Sequence, residues 1–186
     1  MYCNKYGNII GLYFKDNFLN GIIPDSISGL VNLRYIYLIN SPSYDESGVV
    51  SKVSDKLFTL PLKEVVLYNQ GIKEDIYNNL FQNTSLQILD LSLNQLGGTL
   101  TKGKLINNQL IILNLSDNNL SGTLSFLENF SRLEVIQLQN NQFSGEIPVL
   151  KDLYNSLRVF DIRNNNLNGP FPVKRISNLD VIFKPK

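Results

Sequence analysis

Two carboxylates at matching places in a repeated phrase are the side chains best suited to do chemistry. Asp90 in "ILDLS" and Asp161 in "VFDIR" each stand between two apolar residues. A pair of carboxylates is the machinery of a glycosidase, provided that the two groups face each other across one bond. Histidine-based catalysis and multi-thiolate metal chemistry have no candidates, because the chain has no histidine and a single cysteine, Cys3. Histidine triads, histidine metal sites and thiolate zinc cages are therefore excluded, and no phosphate-binding glycine motif is present.

The distance between these carboxylates depends on a phrase that recurs along the chain. "ILNLSDNNLSGTL" (112–124) is preceded 24 residues earlier by "ILDLSLNQLGGTL" and followed 23 residues later by "VIQLQNNQFSGEI". The phrase fits L-x-x-L-x-L-x-x-N-x-L, the leucine-rich repeat signature. Repeats start at residues 9, 33, 62, 86, 110, 133, 157 and 179.

Each repeat predicts one short strand. Its fourth and sixth positions are apolar and are separated by one outward residue, as in a half-buried strand. No repeat can bury its apolar face alone, so the repeats must stack into a solenoid with one parallel sheet. Asp90 and Asp161 are then three strands apart, about 14 Å, which is too far for a glycosidase pair. We therefore expect no enzymatic activity, no catalytic residue, no metal site and no cofactor.

The ninth position predicts a buried ladder of asparagines. Where the chain turns inside the stack, backbone groups lose their strand partners, and an amide side chain can both donate to and accept from them. The residues expected in this structural ladder are Asn17, Asn94, Asn118, Asn141 and Asn165.

The outward residues of the strands are free of the core and are the candidate ligand-binding site. They are aromatic in the first repeats and polar in the later ones, and exposed tyrosine is a common contact residue. Tyrosine also favours strands for packing reasons alone, so both interpretations stay open. The candidates on the concave face are Tyr13, Tyr35, Tyr37, Tyr68, Asp90, Asn114, Gln137, Asp161 and Arg163.

Glycine at the thirteenth position and proline at the sixteenth indicate a family. "LNGIIPDSISGLVNLRYIYL" (19–38) and "FSGEIP" (143–148) resemble the plant-type leucine-rich repeat of receptor-like kinase and receptor-like protein ectodomains and of polygalacturonase inhibitors. The resemblance implies an α/β-type repeat solenoid, a right-handed superhelix with one parallel concave sheet and mostly loops and 3-10 turns on the convex side. It also implies a second strand on the flank. That second sheet should be patchy, because repeats four and five lack the proline.

Three parts of the chain depart from the repeat. We expect a single domain over 1–186, with an irregular insertion at 41–60. Residues 1–8 resemble the end of the family's N-terminal cap, whose cysteine Cys3 matches. The last repeat stops short, and solenoids need polar caps. The chain is therefore expected to be a fragment of a longer protein.

Composition limits the partners. A net charge of +1 argues against nucleic acid or an anionic membrane surface. No window could span a membrane and no signal peptide is visible, so a membrane would be reached only through segments outside this chain. Four N-x-S sequons start at Asn83, Asn114, Asn119 and Asn129. Their number is close to what so asparagine-rich a chain produces by chance, so it does not indicate a compartment.

Three functions remain in competition. The resemblance favours a recognition module, extracellular or at the cell surface, that binds a protein, peptide or saccharide on the concave face. The alternatives are a soluble inhibitor of a secreted hydrolase, and the ectodomain of a receptor-like kinase whose kinase domain lies outside this chain. Ice binding needs a flat ladder of like residues, which these mixed columns do not supply.

Overall fold

The structure is a computed structural model that describes residues 1–17, 19–42, 50–76, 80–100 and 109–170. The predicted eighth repeat, which starts at Leu179, lies outside these residues. Pro172, the proline at the sixteenth position of repeat seven, lies outside them too. The centre of the predicted 41–60 insertion, residues 43–49, lies outside them as well.

The main sheet has eight strands. One lies before the first repeat, and each of the seven described repeats supplies one of the others, in the order of the chain. The strands are β1 (Tyr2–Cys3), β2 (Ile9–Lys15), β4 (Tyr35–Ile39), β6 (Glu64–Tyr68), β7 (Ile88–Asp90), β8 (Ile112–Asn114), β10 (Val135–Gln137) and β12 (Val159–Asp161). Only β1 runs antiparallel to its neighbour, and β2 to β12 are all parallel. The predicted repeat solenoid with a parallel sheet is confirmed.

Strand alternation places the core where the repeat phase predicts it. In β4, Ile36 and Leu38 are buried while the residues beside them are half exposed. Full burial of such a side chain stabilises the fold by about 1.5–3 kcal/mol. Leu12 and Phe14 in β2 are only partly buried, because the two-residue β1 is the only strand on their outer side.

The side opposite to the main sheet, as far as the structure describes it, is built from short 3-10 helices and a broken second sheet. The helices are η1 (Asp25–Gly29), η2 (Asp55–Thr59), η3 (Leu80–Gln82), η4 (Leu124–Asn129) and η5 (Lys151–Leu153). The flank strands are β3 (Gly21–Ile23), β5 (Val50–Val53), β9 (Ser121–Gly122), β11 (Gln142–Glu146) and β13 (Asn166–Asn168). β3 pairs with β5, and β9, β11 and β13 form a separate sheet. Between the two, only isolated bridges join Asp75 to Gly97 and Thr99 to Ser121 among the described residues, so the second sheet is patchy as expected.

The ninth-position asparagines hold neighbouring repeats together. The Asn118 Nδ2 donates to the carbonyl oxygens of Leu91 at 3.0 Å and Leu115 at 3.2 Å, and its Oδ1 accepts from Leu96 N at 3.0 Å. The same pattern, with one bond to the strand of the previous repeat and one to its turn, recurs at Asn94, Asn141 and Asn165. These four residues are the asparagine ladder. In repeat three the corresponding residue is Gln70, which is also buried.

Asn17 does not behave as a ladder residue, contrary to the sequence expectation. It is exposed, and among the described residues its Nδ2 donates only to Lys15 O, within its own turn. The physical reason is that β2 is followed outward only by β1, so no earlier repeat presents a carbonyl and an N–H to bridge. Asp16 links repeats one and two instead, because its carboxylate accepts from Ser41 N at 2.6 Å and from Ser41 Oγ at 3.0 Å. These bonds hold the pKa of Asp16 below its ordinary value.

Candidate functional site

The strand register arranges the outward side chains of the main sheet in three columns. The first runs Gly11, Tyr35, Glu64, Ile88, Ile112, Val135, Val159. The second runs Tyr13, Tyr37, Val66, Asp90, Asn114, Gln137, Asp161. A third lies beyond it, with Lys15, Ile39 and Tyr68 in register, followed along the repeats by Ser92, Ser116, Gln139 and Arg163. All nine predicted ligand-binding residues therefore lie in these columns.

The aromatic half of the face centres on one pair of rings. Tyr13 and Tyr37 lie in register on β2 and β4, with ring centroids 5.8 Å apart and the planes tilted by 51°. Tyr13 is 43% exposed, which is high for a residue on a strand inside a sheet. Tyr68 is one column further out and one strand further on, where it pairs with Ile39. The structure thus brings two of the four predicted tyrosines into ring contact and places Tyr68 diagonally beside them.

Tyr37 is not a free contact residue, because its hydroxyl donates to the Glu64 carboxylate on the next strand. Burial, and then this hydrogen bond, raise the pKa of the Tyr37 hydroxyl well above its ordinary value. Tyr37 therefore ties β4 to β6, and its side chain is half-buried on the outward face of the sheet. Sequence reasoning missed Glu64 because it followed two outward columns in full and took only Tyr35 from the column that Glu64 shares.

Tyr2 was also missed, and it extends the aromatic half to the edge strand. It pairs with Gly11 in the antiparallel β1–β2 register. A Cβ added at Gly11 would lie 3.0 Å from the Tyr2 ring and 3.5 Å from Tyr35 Cβ, so Tyr2 and Tyr35 close over the glycine from both sides. The glycine itself was the available signal, since the matching position in repeats four to seven carries isoleucine or valine. We define the tyrosine patch as Tyr2, Tyr13, Tyr35, Tyr37 and Tyr68.

The polar half of the face is internally hydrogen-bonded. The Asp90 Oδ1 accepts from Ser92 N at 2.9 Å and Ser92 Oγ at 2.5 Å, while its Oδ2 accepts from Asn114 Nδ2 at 3.1 Å. The Asn114 Oδ1 in turn accepts from Ser116 N at 3.1 Å and Ser116 Oγ at 2.8 Å. These carboxylate, amide and hydroxyl groups are therefore fixed in position before any ligand arrives.

The same half ends in an ion pair. The Arg163 Nη2 lies 2.5 Å from Asp161 Oδ2 and Nε lies 2.9 Å from Oδ1, so the contact is bidentate. The bond to Asp161 raises the pKa of the Arg163 guanidinium further above its ordinary value. Asp161 is 7% exposed and committed to this pair. Next to them, Gln139 Oε1 is buried without a hydrogen-bond partner among the described residues. We define the polar ladder as Asp90, Ser92, Asn114, Ser116, Gln137, Gln139, Asp161 and Arg163.

The geometry offers contact chemistry. Asp90 and Asp161 are three strands apart in the second column, and each is engaged by its own neighbours. Within the described ranges, no group of three or more histidine, cysteine, aspartate or glutamate side chains is arranged to hold a metal ion. Cys3 is exposed and unpaired on β1. None of the helices in the described part of the chain has the length and apolar character needed to cross a membrane.

Comparison with known proteins agrees with this architecture. The family described as Leucine Rich Repeat matches residues 109–130, 132–150 and 156–174. No curated protein matches the chain. The chain is similar to the solved plant peptide hormone receptor RGFR1 in complex with RGF2, with 31% identity and a TM-score of 0.72 over 85% of this chain and 25% of that one.

Two further solved structures match over more of their own length. Pollen receptor kinase 3 is 26% identical with a TM-score of 0.77, over 94% of this chain and 83% of that one. The BIR3–SERK2 complex from Arabidopsis thaliana is 26% identical with a TM-score of 0.58, over 94% of this chain and 78% of that one. The chain thus spans about a quarter of the RGFR1 chain but most of the other two.

Proposed function

Because the chain is a leucine-rich repeat protein of the plant type, we propose that it is a non-catalytic recognition module whose concave sheet face binds a peptide or a protein. The tyrosine patch supplies the apolar anchor of this site, and the polar ladder supplies hydrogen-bonding groups along the rest of the ligand. The module works outside the cell or at the cell surface. Similarity to plant receptor structures, one of them in complex with a peptide hormone, supports these assignments.

The observation that carries the proposal is the exposure of Tyr13 beside Tyr37. The pair packs on the face opposite to the core, and the core columns behind it are filled by leucine, isoleucine, valine and phenylalanine. An exposed aromatic ring with a hydroxyl offers a large contact area at a low cost in side-chain entropy, and such rings dominate binding energies at interfaces.

The two halves of the face predict how a ligand lies. The columns run across seven parallel strands, so an extended ligand that follows them passes from the tyrosine patch to the polar ladder over roughly 29 Å at 4.8 Å per strand. Its apolar part belongs over Tyr13 and its amide or charged part over Asn114 and Arg163. The polar ladder is bonded internally before binding, which lowers the entropy that a ligand must overcome.

A photochemical capture tests the proposal directly. The chain is produced with the photo-crosslinking amino acid benzoylphenylalanine in place of Tyr13, and separately in place of Tyr154, a half-buried tyrosine that lies after η5 and outside the main sheet. Both proteins are irradiated with the secreted peptide and protein fraction of the source tissue, and adducts are identified by mass spectrometry. We expect the same adduct repeatedly at position 13 and not at 154. Adducts at 154 only, or at neither position, would contradict a ligand site on the concave face.

A further inference from the structure

The four sequons of the chain differ in what the fold leaves available, although their sequences do not separate them. All four have serine at the third position, and two are the identical tripeptide Asn-Leu-Ser, at 114–116 and 119–121. N-linked modification requires an accessible acceptor on the surface of a secreted protein. The structure therefore distinguishes acceptors that the sequence leaves equivalent.

Glycosylation changes the hydrogen bonding of the asparagine that accepts the sugar. The amide nitrogen Nδ2 forms a bond to C1 of the first sugar of a lipid-diphosphate-linked oligosaccharide. The C1–O bond to the lipid diphosphate breaks, the diphosphate leaves with the electron pair, and Nδ2 releases one proton. Nδ2 keeps a single hydrogen, so an asparagine that uses both hydrogens in the fold loses a bond and must also make room for a sugar.

Asn83 and Asn114 have neither a spare Nδ2 hydrogen nor room for a sugar. Asn83 is buried, and its Nδ2 donates to Leu60 O at 2.5 Å and Phe58 O at 3.4 Å. Asn114 lies at the end of β8 with strands on both sides. Its Nδ2 donates to Asp90 Oδ2 and Ser92 Oγ, both at 3.1 Å. A glycan at either position would leave buried or half-buried partners without their donor, at a cost of about 1–3 kcal/mol each.

Asn129 is partly available as an acceptor, and Asn119 is fully available. Asn129 is half-buried, and its Nδ2 donates one hydrogen, to Phe126 O at 2.9 Å. Asn119 is exposed, and its side chain makes no hydrogen bond with the described residues. Its backbone N–H donates to Leu96 O at 2.8 Å, so the position is held firmly while the amide faces solvent.

We infer that Asn119 is the N-glycosylation site of the folded chain, with Asn129 a weaker acceptor and Asn83 and Asn114 unmodified. Asn119 lies in the turn between β8 and β9, outside the main sheet. A glycan there stands on the flank and leaves the tyrosine patch and the polar ladder open. The inference depends on the extracellular location given under the proposed function, because the oligosaccharide is transferred only in the secretory pathway.

The test measures which asparagine is glycosylated and does not depend on where the chain is located naturally. A cleavable secretion signal is fused before Met1, the protein is produced in plant cells, and only the secreted, cooperatively folding fraction is analysed. Enzymatic release of glycans in heavy-oxygen water marks each formerly occupied asparagine for peptide mass spectrometry. We expect Asn119 to carry the highest occupancy, Asn129 less, and Asn83 and Asn114 none. An unoccupied Asn119, higher occupancy at Asn129, or a glycan on Asn83 or Asn114 in this fraction would overturn the inference.

Two variants confirm which tripeptide is used. Asn119→Gln removes the acceptor, and Ser121→Ala removes the recognition residue while keeping Asn119. Each is expected to abolish the Asn119 glycan, and a glycosylation pattern unchanged in both would contradict the assignment. Because the signal forces secretion, a chain that is glycosylated at Asn119 but captures no ligand at position 13 refutes the proposed function and not this site. The reverse result refutes this site alone.

Discussion

The Asn118 side chain reaches back one repeat and donates to the Leu91 carbonyl oxygen at 3.0 Å. Its Oδ1 accepts from the Leu96 N–H in the same earlier repeat, at 3.0 Å. One buried amide therefore replaces strand hydrogen bonds on both sides of a turn. The link is between repeats, so its loss should weaken the stacking of the solenoid as well as one turn.

We expect Asn118→Ala to lower the free energy of unfolding by about 1–3 kcal/mol, because the substitution leaves buried backbone groups unpaired. Asn119→Ala is the matched control. It removes the same side chain from the adjacent, exposed position and should be nearly neutral in protein made without glycosylation. Urea denaturation of the two variants measures the difference. Equal losses at both positions would mean that the amide bonds contribute little.

Leu115→Ala tests the packing of the core at the centre of the stack. Leu115 is 0% exposed and occupies the sixth position of its repeat. Truncation should cost about 2–5 kcal/mol, since it removes buried methyl groups and leaves a cavity. Val149→Ala, at a residue that is 50% exposed, is the apolar control and should change little. Thermal melts followed by circular dichroism compare them, and similar melting temperatures for both variants would contradict the assigned core.

Leu93 has a strained backbone conformation at the eighth position of its repeat, where other repeats carry asparagine or aspartate. Among the described residues, six that are not glycine have positive φ: Leu93, with a φ of 54°, and five that are asparagine or aspartate. A left-handed conformation costs roughly 1–2 kcal/mol for an ordinary residue and less for asparagine. We expect Leu93→Asn to raise the free energy of unfolding by about 1 kcal/mol. Leu93→Ala keeps a Cβ in the same backbone conformation and should not. An equal gain from alanine would show that the effect comes from losing the half-buried apolar side chain.

The sequence predicts the positions that recur in every repeat, and it does not predict contacts at the end of the repeat array or between different columns. The core columns and the outward columns follow from strand alternation and a steady repeat length, so residues such as Leu113 and Asn114 could be placed from the phase alone. Asn17 is the residue type that the repeat signature expects, but no earlier repeat lies beside it to be bridged. A signature that describes a single repeat does not say whether a neighbour is present. Tyr2 lies outside the repeat phase and reaches the face through an antiparallel pairing. The Tyr37–Glu64 bond joins two different columns, and column identity does not predict such diagonal contacts.

The Tyr37–Glu64 contact predicts a dependence of stability on alkaline pH. The pKa of Tyr37 is raised in the folded state, so its contribution to stability is complete below the unfolded-state pKa of about 10. It is lost as the pH rises towards the folded-state pKa, because the unfolded state ionises first. The stability advantage of the wild type over Tyr37→Phe should therefore shrink above about pH 10. Chemical denaturation between neutral pH and pH 11 measures it.

The control for this comparison is Val149→Ala, at a residue that is 50% exposed and carries no titratable group. Its difference from the wild type should stay constant across the same pH range. A constant difference for Tyr37→Phe as well would mean that the hydroxyl is not held by Glu64 in solution.

The binding prediction rests on Tyr13, since substitution of Tyr37 also breaks a structural hydrogen bond. Tyr13 is 43% exposed and contacts the Tyr37 ring. Truncation of an aromatic anchor at an interface costs about 2 kcal/mol or more, which corresponds to at least a tenfold weaker affinity. With a synthetic copy of the peptide captured at position 13, Tyr13→Ala should raise Kd at least tenfold and leave the melting temperature nearly unchanged. Tyr154→Ala, outside the main sheet, should bind as the wild type does. Titration calorimetry gives each Kd. A ligand that tolerates Tyr13→Ala and Tyr68→Ala together, but is lost with Arg163→Ala, would move the anchor from the tyrosine patch to the polar ladder.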